Sequence, residues 1–182
     1  MSLSLLLAEM YIPVFIRKRE LGNLFQLTAS AFGRKVPSLN GYSYDHCLTE
    51  FASFTKTSVD QARNRDEEIA VIQDRLFRQA SEYGRLWRKR FGITTMKEVM
   101  RAGRVLYRAI GIEFRGTEQG RIEIGECVFS KHYSPVTCRV ISSLDAGIMA
   151  GLSDGKSLSF SQRITEGFDS CKAQMSVEEV IE

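Results

Sequence analysis

Three of the four cysteines and one of the two histidines fall within a single stretch, Gly125 to Cys171, together with acids in unusual settings. The side chains concerned are Cys127, His132, Cys138, Asp145, Arg163, Glu166 and Cys171. A thiol beside a base is the raw material of a covalent nucleophile, and cysteines with histidine are the raw material of a zinc site. The same thiols, left neutral and buried, are simply small hydrophobes. Which chemistry applies depends on the elements that carry these groups.

The stretch Pro135 to Leu152 reads as a helix. On it Cys138, Ile141, Asp145, Ile148 and Leu152 share one face, with Cys138 and Asp145 a heptad apart. A carboxylate thus stands in an apolar stripe, where it needs a partner or a route to solvent and often marks a site. Beside it, Ala146, Gly147, Ala150 and Gly151 form a nearly bald patch. Such a patch lowers helix propensity and is explained by close approach of a sheet, another helix or a ligand. The two glycines suit helix pairing inside one chain or between subunits of a homodimer.

The segments around this helix change period. Ile112 to Phe114 and Arg121 to Phe129 read as strands joined by a polar turn, Gly116 to Gly120. Lys156 to Ile164 alternates Leu158, Phe160, Gln162 and Ile164 against Ser159, Ser161 and Arg163. Cys171 to Val177 alternates Cys171, Ala173, Met175 and Val177 against Lys172, Gln174 and Ser176, completing an antiparallel hairpin through Thr165 to Ser170. Strict alternation from Ile122 would turn Glu126 inward and Cys127 out. A bulge at Gly125 reverses this and is favoured, because a thiol is cheaper to bury than a carboxylate.

The chain before Ile93 reads as helices. Met10, Val14, Leu21, Leu24 and Phe25 recur at helical spacing, with Pro13 and Gly22 as expected breaks. A loop follows at Lys35 to Tyr42, then a helix capped by Ser43 that carries Leu48, Phe51, Phe54 and Val59. His46 and Cys47 are adjacent and point apart, which is wrong for a shared metal. A long helix from Asp66 to Arg90 places Ile69, Ile72, Leu76, Ala80, Tyr83 and Trp87 on one face and stops at Gly92. Thr95 and Glu98 form a capping-box pattern opening a helix that reaches Ile110, where Gly111 permits a left-handed cap. The opposite side of that helix carries Arg101, Arg104 and Arg108, read as a solvated face or an anchor for a carboxylate.

The expected architecture is therefore α+β, a helical region at 1–93 followed by a ββαββ unit at 94–182 with a small antiparallel sheet and packed helices. A formal charge of +3 is too mild to imply nucleic acid. The basic run Arg85, Arg88, Lys89 and Arg90 closes a helix that opens with acids, which is what the helix dipole favours. The Leu5, Leu6, Leu7 cluster lacks a preceding basic region, and no apolar run is long enough for a membrane span. Cysteines outside any CxxC pair then point to a reducing, cytoplasmic setting, with neither nucleic acid nor membrane as partner. No motif specifies a cofactor.

The order strand, strand, helix, strand, strand carries a resemblance. Cys138 ahead of the Asp-Ala-Gly helix, followed by Arg163-Ile164-Thr165-Glu166-Gly167-Phe168-Asp169-Ser170-Cys171, resembles the C-terminal pattern of the 4-vinyl-reductase ligand-binding superfamily. Ile110-Gly111-Ile112-Glu113 and the later Cys127 are similar to the L-2-amino-thiazoline-4-carboxylate hydrolase-like family. The likeness covers about the last eighty residues, and Gly167-Phe168-Asp169 departs from the tighter G-D-x-x-C form. It implies an α+β domain with a small-molecule cavity between sheet and helices.

Three functions follow as expectations. In the first, a small organic ligand is held by Cys127, Cys138, Asp145, Arg163, Glu166 and Cys171 between the 135–152 helix and the C-terminal hairpin. In the second, a hydrolase opens a cyclic C–N or amidine bond, with Cys138 or Cys127 as nucleophile and His132 or Asp145 as base. Arg163 or the Arg101, Arg104, Arg108 stripe would then anchor a substrate carboxylate. The third, zinc held by Cys127, His132, Cys138 and Cys171, has irregular spacing and is set aside, so that no metal is expected. Binding is preferred to hydrolysis because no sequential nucleophile-base motif exists.

Overall fold

A computed structural model describes residues 3–64 and 69–176. Asp66, Glu67 and Glu68, expected to open the long helix, and Val177, expected to extend the last strand, lie outside the described residues. The elements run α1 (Leu3–Met10), α2 (Val14–Ala31), α3 (Tyr44–Asn64), α4 (Ile69–Phe91), α5 (Met96–Ala109), β1 (Ile112–Gly116) and β2 (Arg121–Cys127). A short 3-10 turn (Val128–Lys131), α6 (Pro135–Ser153), β3 (Ser157–Gln162), a second 3-10 turn (Ile164–Glu166) and β4 (Cys171–Ser176) complete the chain. Helices come first and a four-stranded antiparallel sheet last, the expected α+β arrangement.

Local chemistry explains most boundaries. Pro13 lacks an N–H and separates α1 from α2. Gly22 does not break the chain: α2 runs through it without interruption, since one glycine lowers propensity but removes no hydrogen bond. Met10 and Val14, expected on a packed face, are exposed at the corner between α1 and α2. The Ser43 hydroxyl accepts from His46 N at the start of α3. Thr95 and Glu98 form the complete reciprocal box at α5. The Ser134 hydroxyl accepts from Thr137 N, and Pro135 fills the first turn of α6.

The sheet order is β1-β2-β4-β3, so the two strands that follow α6 close back onto β2. Ile122 and Ile124 of β2, and Cys171, Ala173 and Met175 of β4, point toward the helices and are buried. Two irregularities re-aim the strand ends. Between β1 and β2, Ile112 pairs with Cys127 while Phe114 pairs with Ile124, so β2 holds an extra residue around Gly125. This is the expected bulge: Glu126 is exposed and Cys127 is partly buried. Phe129, expected on the strand, is buried in the 3-10 turn instead. Between β3 and β4, Phe160 pairs with Ala173 and Gln162 with Lys172, so Ser161 is the extra residue. That slip reverses the alternation, and Arg163, expected on the outer face, turns inward.

The bald patch on α6 is filled by α4. A Cβ on Gly147 would collide with the carbonyl oxygen of Phe77, one on Gly151 with that of Ser81, and one on Gly84 with that of Ile148. The two backbones are therefore in direct contact, and the glycines serve packing within the chain. Arg88 of α4 donates to the carbonyl of Leu152 at 3.3 Å and pairs with Asp154, satisfying the end of α6. One hydrophobic core joins Leu21, Phe25, Val59 and Leu76 of the helical region to Leu106, Ile124, Met149 and Met175 of the sheet region.

The arginine stripe of α5 grips α1. Arg104 donates to Glu9 at 2.8 Å, Arg101 lies 3.7 Å from the same carboxylate, and Arg108 donates to the carbonyl of Ala8. These side chains are therefore partnered by α1 and only partly solvated. Among the described residues, no helix is long and apolar enough to cross a membrane.

Candidate functional site

Antiparallel pairing brings the start of β1, the end of β2, the end of β3 and the start of β4 to one end of the sheet. The first half of α6 lies over that end, and between them is a cavity of about 80 Å³. Leu24 and Phe51 close it from α2 and α3, and Tyr107 and Ile110 from α5. Ile112, Ile124, Cys127 and Cys171 line the sheet side, Phe160 and Arg163 the hairpin side, and Cys138, Ile141, Ser142, Leu144 and Asp145 the α6 side. Phe129 and Tyr133 complete the wall.

The chemistry-bearing residues therefore sort cleanly. Cys127, Cys138, Asp145, Arg163 and Cys171 converge on the cavity. His132 does not: it is exposed, and its neighbour Tyr133 takes the inward position. Glu166 also stands outside, accepting from Arg139 Nε at 2.7 Å and lying 3.8 Å from Arg163 Nη1. Its close partner is Arg139, with Arg163 at longer range. Among the described residues, no group of three or more His, Cys, Asp or Glu side chains is close enough to share a metal ion.

Asp145 is the polar centre. Its Oδ1 accepts a 2.8 Å hydrogen bond from the Tyr107 hydroxyl, and Oδ2 has no hydrogen-bond partner among the described residues. Burial pushes its carboxyl up to about 6, against the opposing pull of the Tyr107 hydroxyl and the Arg163 charge. Tyr107 is held well above the ordinary phenol range by burial and by the facing carboxylate, so it remains a donor. Arg163 stacks over Phe160, 4.7 Å from the ring centroid, and its Nε donates to Ser142 Oγ at 3.4 Å. Ser142 in turn donates to the carbonyl of Cys138 at 2.7 Å. The Tyr133 hydroxyl is buried beside Thr55, neither making a well-formed hydrogen bond, and burial raises it too.

All three cavity thiols are held in the neutral form. Burial pushes Cys127 up to about 12, and Cys138 and Cys171 are raised for the same reason, with the Asp145 charge adding to each. A nearby cation or helix N-terminus stabilises a thiolate, and Cys138, in the first turn of α6 and near Arg163, has both, but burial outweighs the Arg163 charge and holds the thiol up. Arg163 does lower Cys138 and Cys171, but less than burial raises them.

Tyr107 was legible only as an apolar-face residue of α5, since its partner lies on a different helix. The usable signal was complementary: a phenol on one buried face and a lone carboxylate on another each require a polar partner. The chain matches no family model, no curated protein and no solved structure. Function is therefore read from the cavity itself.

Proposed function

We propose that this chain is a small-molecule-binding α+β domain whose ligand sits between α6 and the C-terminal hairpin. The observation that carries the reading is the largely apolar cavity whose wall includes Asp145, hydrogen-bonded by Tyr107, and Arg163. Apolar walls with a few fixed polar groups are the usual make-up of a ligand site. Ser142 and Phe160 hold Arg163, with Glu166 at longer range, and Tyr107 holds Asp145, so both charged groups are oriented before any ligand arrives. The neutral thiols weigh against the hydrolase, which needs a thiolate, and the exposed His132 leaves Asp145 alone of its two named bases at the cavity.

Native mass spectrometry of the purified chain tests the proposal, with Ile141→Phe as the cavity-filling comparison. A co-purified small mass on the wild type, lost in a folded Ile141→Phe, is the expected result. A wild-type chain that carries no such mass, and whose melting temperature no member of a small-molecule library raises, would reject it.

A further inference from the structure

Resting on that reading, we infer that the cavity selects a compact, uncharged, mostly apolar molecule bearing one hydroxyl or N–H donor, which Asp145 Oδ2 accepts. Size comes from the volume: about 80 Å³ is roughly half the 150 Å³ engineered cavity that accommodates benzene. A ligand of about four to six heavy atoms suits it, after small side-chain adjustments. The requirement for a donor comes from unused valence. A carboxylate offers about four lone-pair sites, and Tyr107 occupies one. Oδ2 then has no protein partner among the described residues and belongs to a half-buried side chain at the cavity wall, so its acceptor sites are open to a donor that enters the chamber.

Neutrality comes from the surrounding charges. Asp145 and Glu166 are balanced by Arg163 and Arg139, with Glu166 held closely by Arg139 and at longer range by Arg163. Arg163 is thus left as the counter-charge of Asp145. A cationic ligand would have to share the cavity with that guanidinium, and an anionic one with the carboxylate. A neutral donor meets the open acceptor and leaves the balance undisturbed. The three thiols and two phenols around it are uncharged and add no competing field.

The test uses four cycloalkyl probes of five or six heavy atoms: cyclopentanol, cyclopentane, cyclopentylammonium and cyclopropanecarboxylate. Binding to the full chain is followed through the methyl resonances of Ile141 and Leu144, which line the cavity. Cyclopentanol is expected to bind about tenfold more tightly than cyclopentane, the effect of one hydrogen bond to a charged acceptor, and more tightly than either ion. Asp145→Asn, whose single oxygen stays with Tyr107 and whose NH2 takes the Oδ2 position, should weaken the alcohol preference, and Asp145→Leu should erase it. The wild-type and Asp145→Asn series decide the matter even if Asp145→Leu does not fold. Equal binding of alcohol and hydrocarbon, or tightest binding of the ammonium or the carboxylate, overturns this inference while leaving cavity binding intact. No methyl shift with any of the four probes overturns the binding reading beneath it as well.

Discussion

Tyr107 and Asp145 are 38 positions apart in the chain, yet the phenol donates to the carboxylate at 2.8 Å. The bond joins α5 to α6 across the wall of the cavity and resolves two local anomalies, a phenol and a carboxylate each on an apolar helix face. It also sets the polarity of the chamber. Tyr107 supplies the only hydrogen bond to Asp145 among the described residues, and Arg163 supplies the opposing charge.

Stability should depend on pH through Asp145 in a defined direction. Burial holds its folded-state value near 6 against an ordinary 3.8, so the folded chain binds this proton more tightly than the unfolded chain. Its contribution is therefore most favourable below about pH 4 and is lost as pH rises through 6, amounting to about 3 kcal/mol. Asp145→Asn keeps an acceptor for Tyr107 and removes the titration. In urea melts the variant should gain on the wild type between pH 4 and 7 and hold a constant difference above. A difference that shrinks as pH rises contradicts the assignment.

The cavity thiols should be slow. With Cys127 held at about 12, its thiolate fraction at pH 8 is on the order of 10⁻⁴. Alkylation of the native chain with iodoacetamide, read by mass spectrometry, should modify Cys127, Cys138 and Cys171 more slowly than in urea. Cys138→Ala should change ligand affinity only by a packing effect, a few-fold at most. A thiol in this trio that outpaces free cysteine would return the hydrolase to consideration.

Two glycines of similar sequence appearance should respond in opposite ways. Gly151→Ala drives a methyl into the Ser81 carbonyl at the α4–α6 contact and should destabilise by about 3 kcal/mol or more. Gly22→Ala, with nothing within 4 Å of the new methyl, should stabilise α2 by about 0.5–1 kcal/mol. Thermal or urea melts of the two variants give the comparison directly, and equal effects would show that the helices are not in backbone contact.

Removing the charge of Glu9 should release α1 locally. Glu9 is the acceptor shared by Arg101 and Arg104, so Glu9→Gln weakens the attachment of Leu3–Met10 to α5. Amide exchange should accelerate through α1 while the exchange of α4 and α6 stays unchanged. Unaltered protection of α1 would mean that apolar contacts alone hold it.

Legibility from sequence followed the range of the interactions. The period of Ile72, Leu76 and Ala80, the Thr95–Glu98 box and the alternation of Cys171, Ala173 and Met175 are local patterns, and each fixed its element. The bulge at Gly125 was legible because burying Glu126 would have cost more than burying Cys127. The slip at Ser161 was not: it depends on how β3 meets β4, and no residue in β3 announces it. Arg163 was thus a candidate by chemistry but assigned to the wrong face. His132 was a candidate by proximity in sequence, and one position of helical twist left it in solvent with Tyr133 inside.

By itself, then, the sequence determined the helices and strands, their α+β order, and the concentration of thiols and acids after Gly125. Only the tertiary structure decided that four of those side chains share a cavity with Arg163, that Tyr107 is the partner of Asp145, and that Gly147 and Gly151 meet α4. The physical reason is that periodicity specifies which face of an element is buried. What that face meets depends on strand register and backbone approach between elements far apart in the chain, which no local pattern contains.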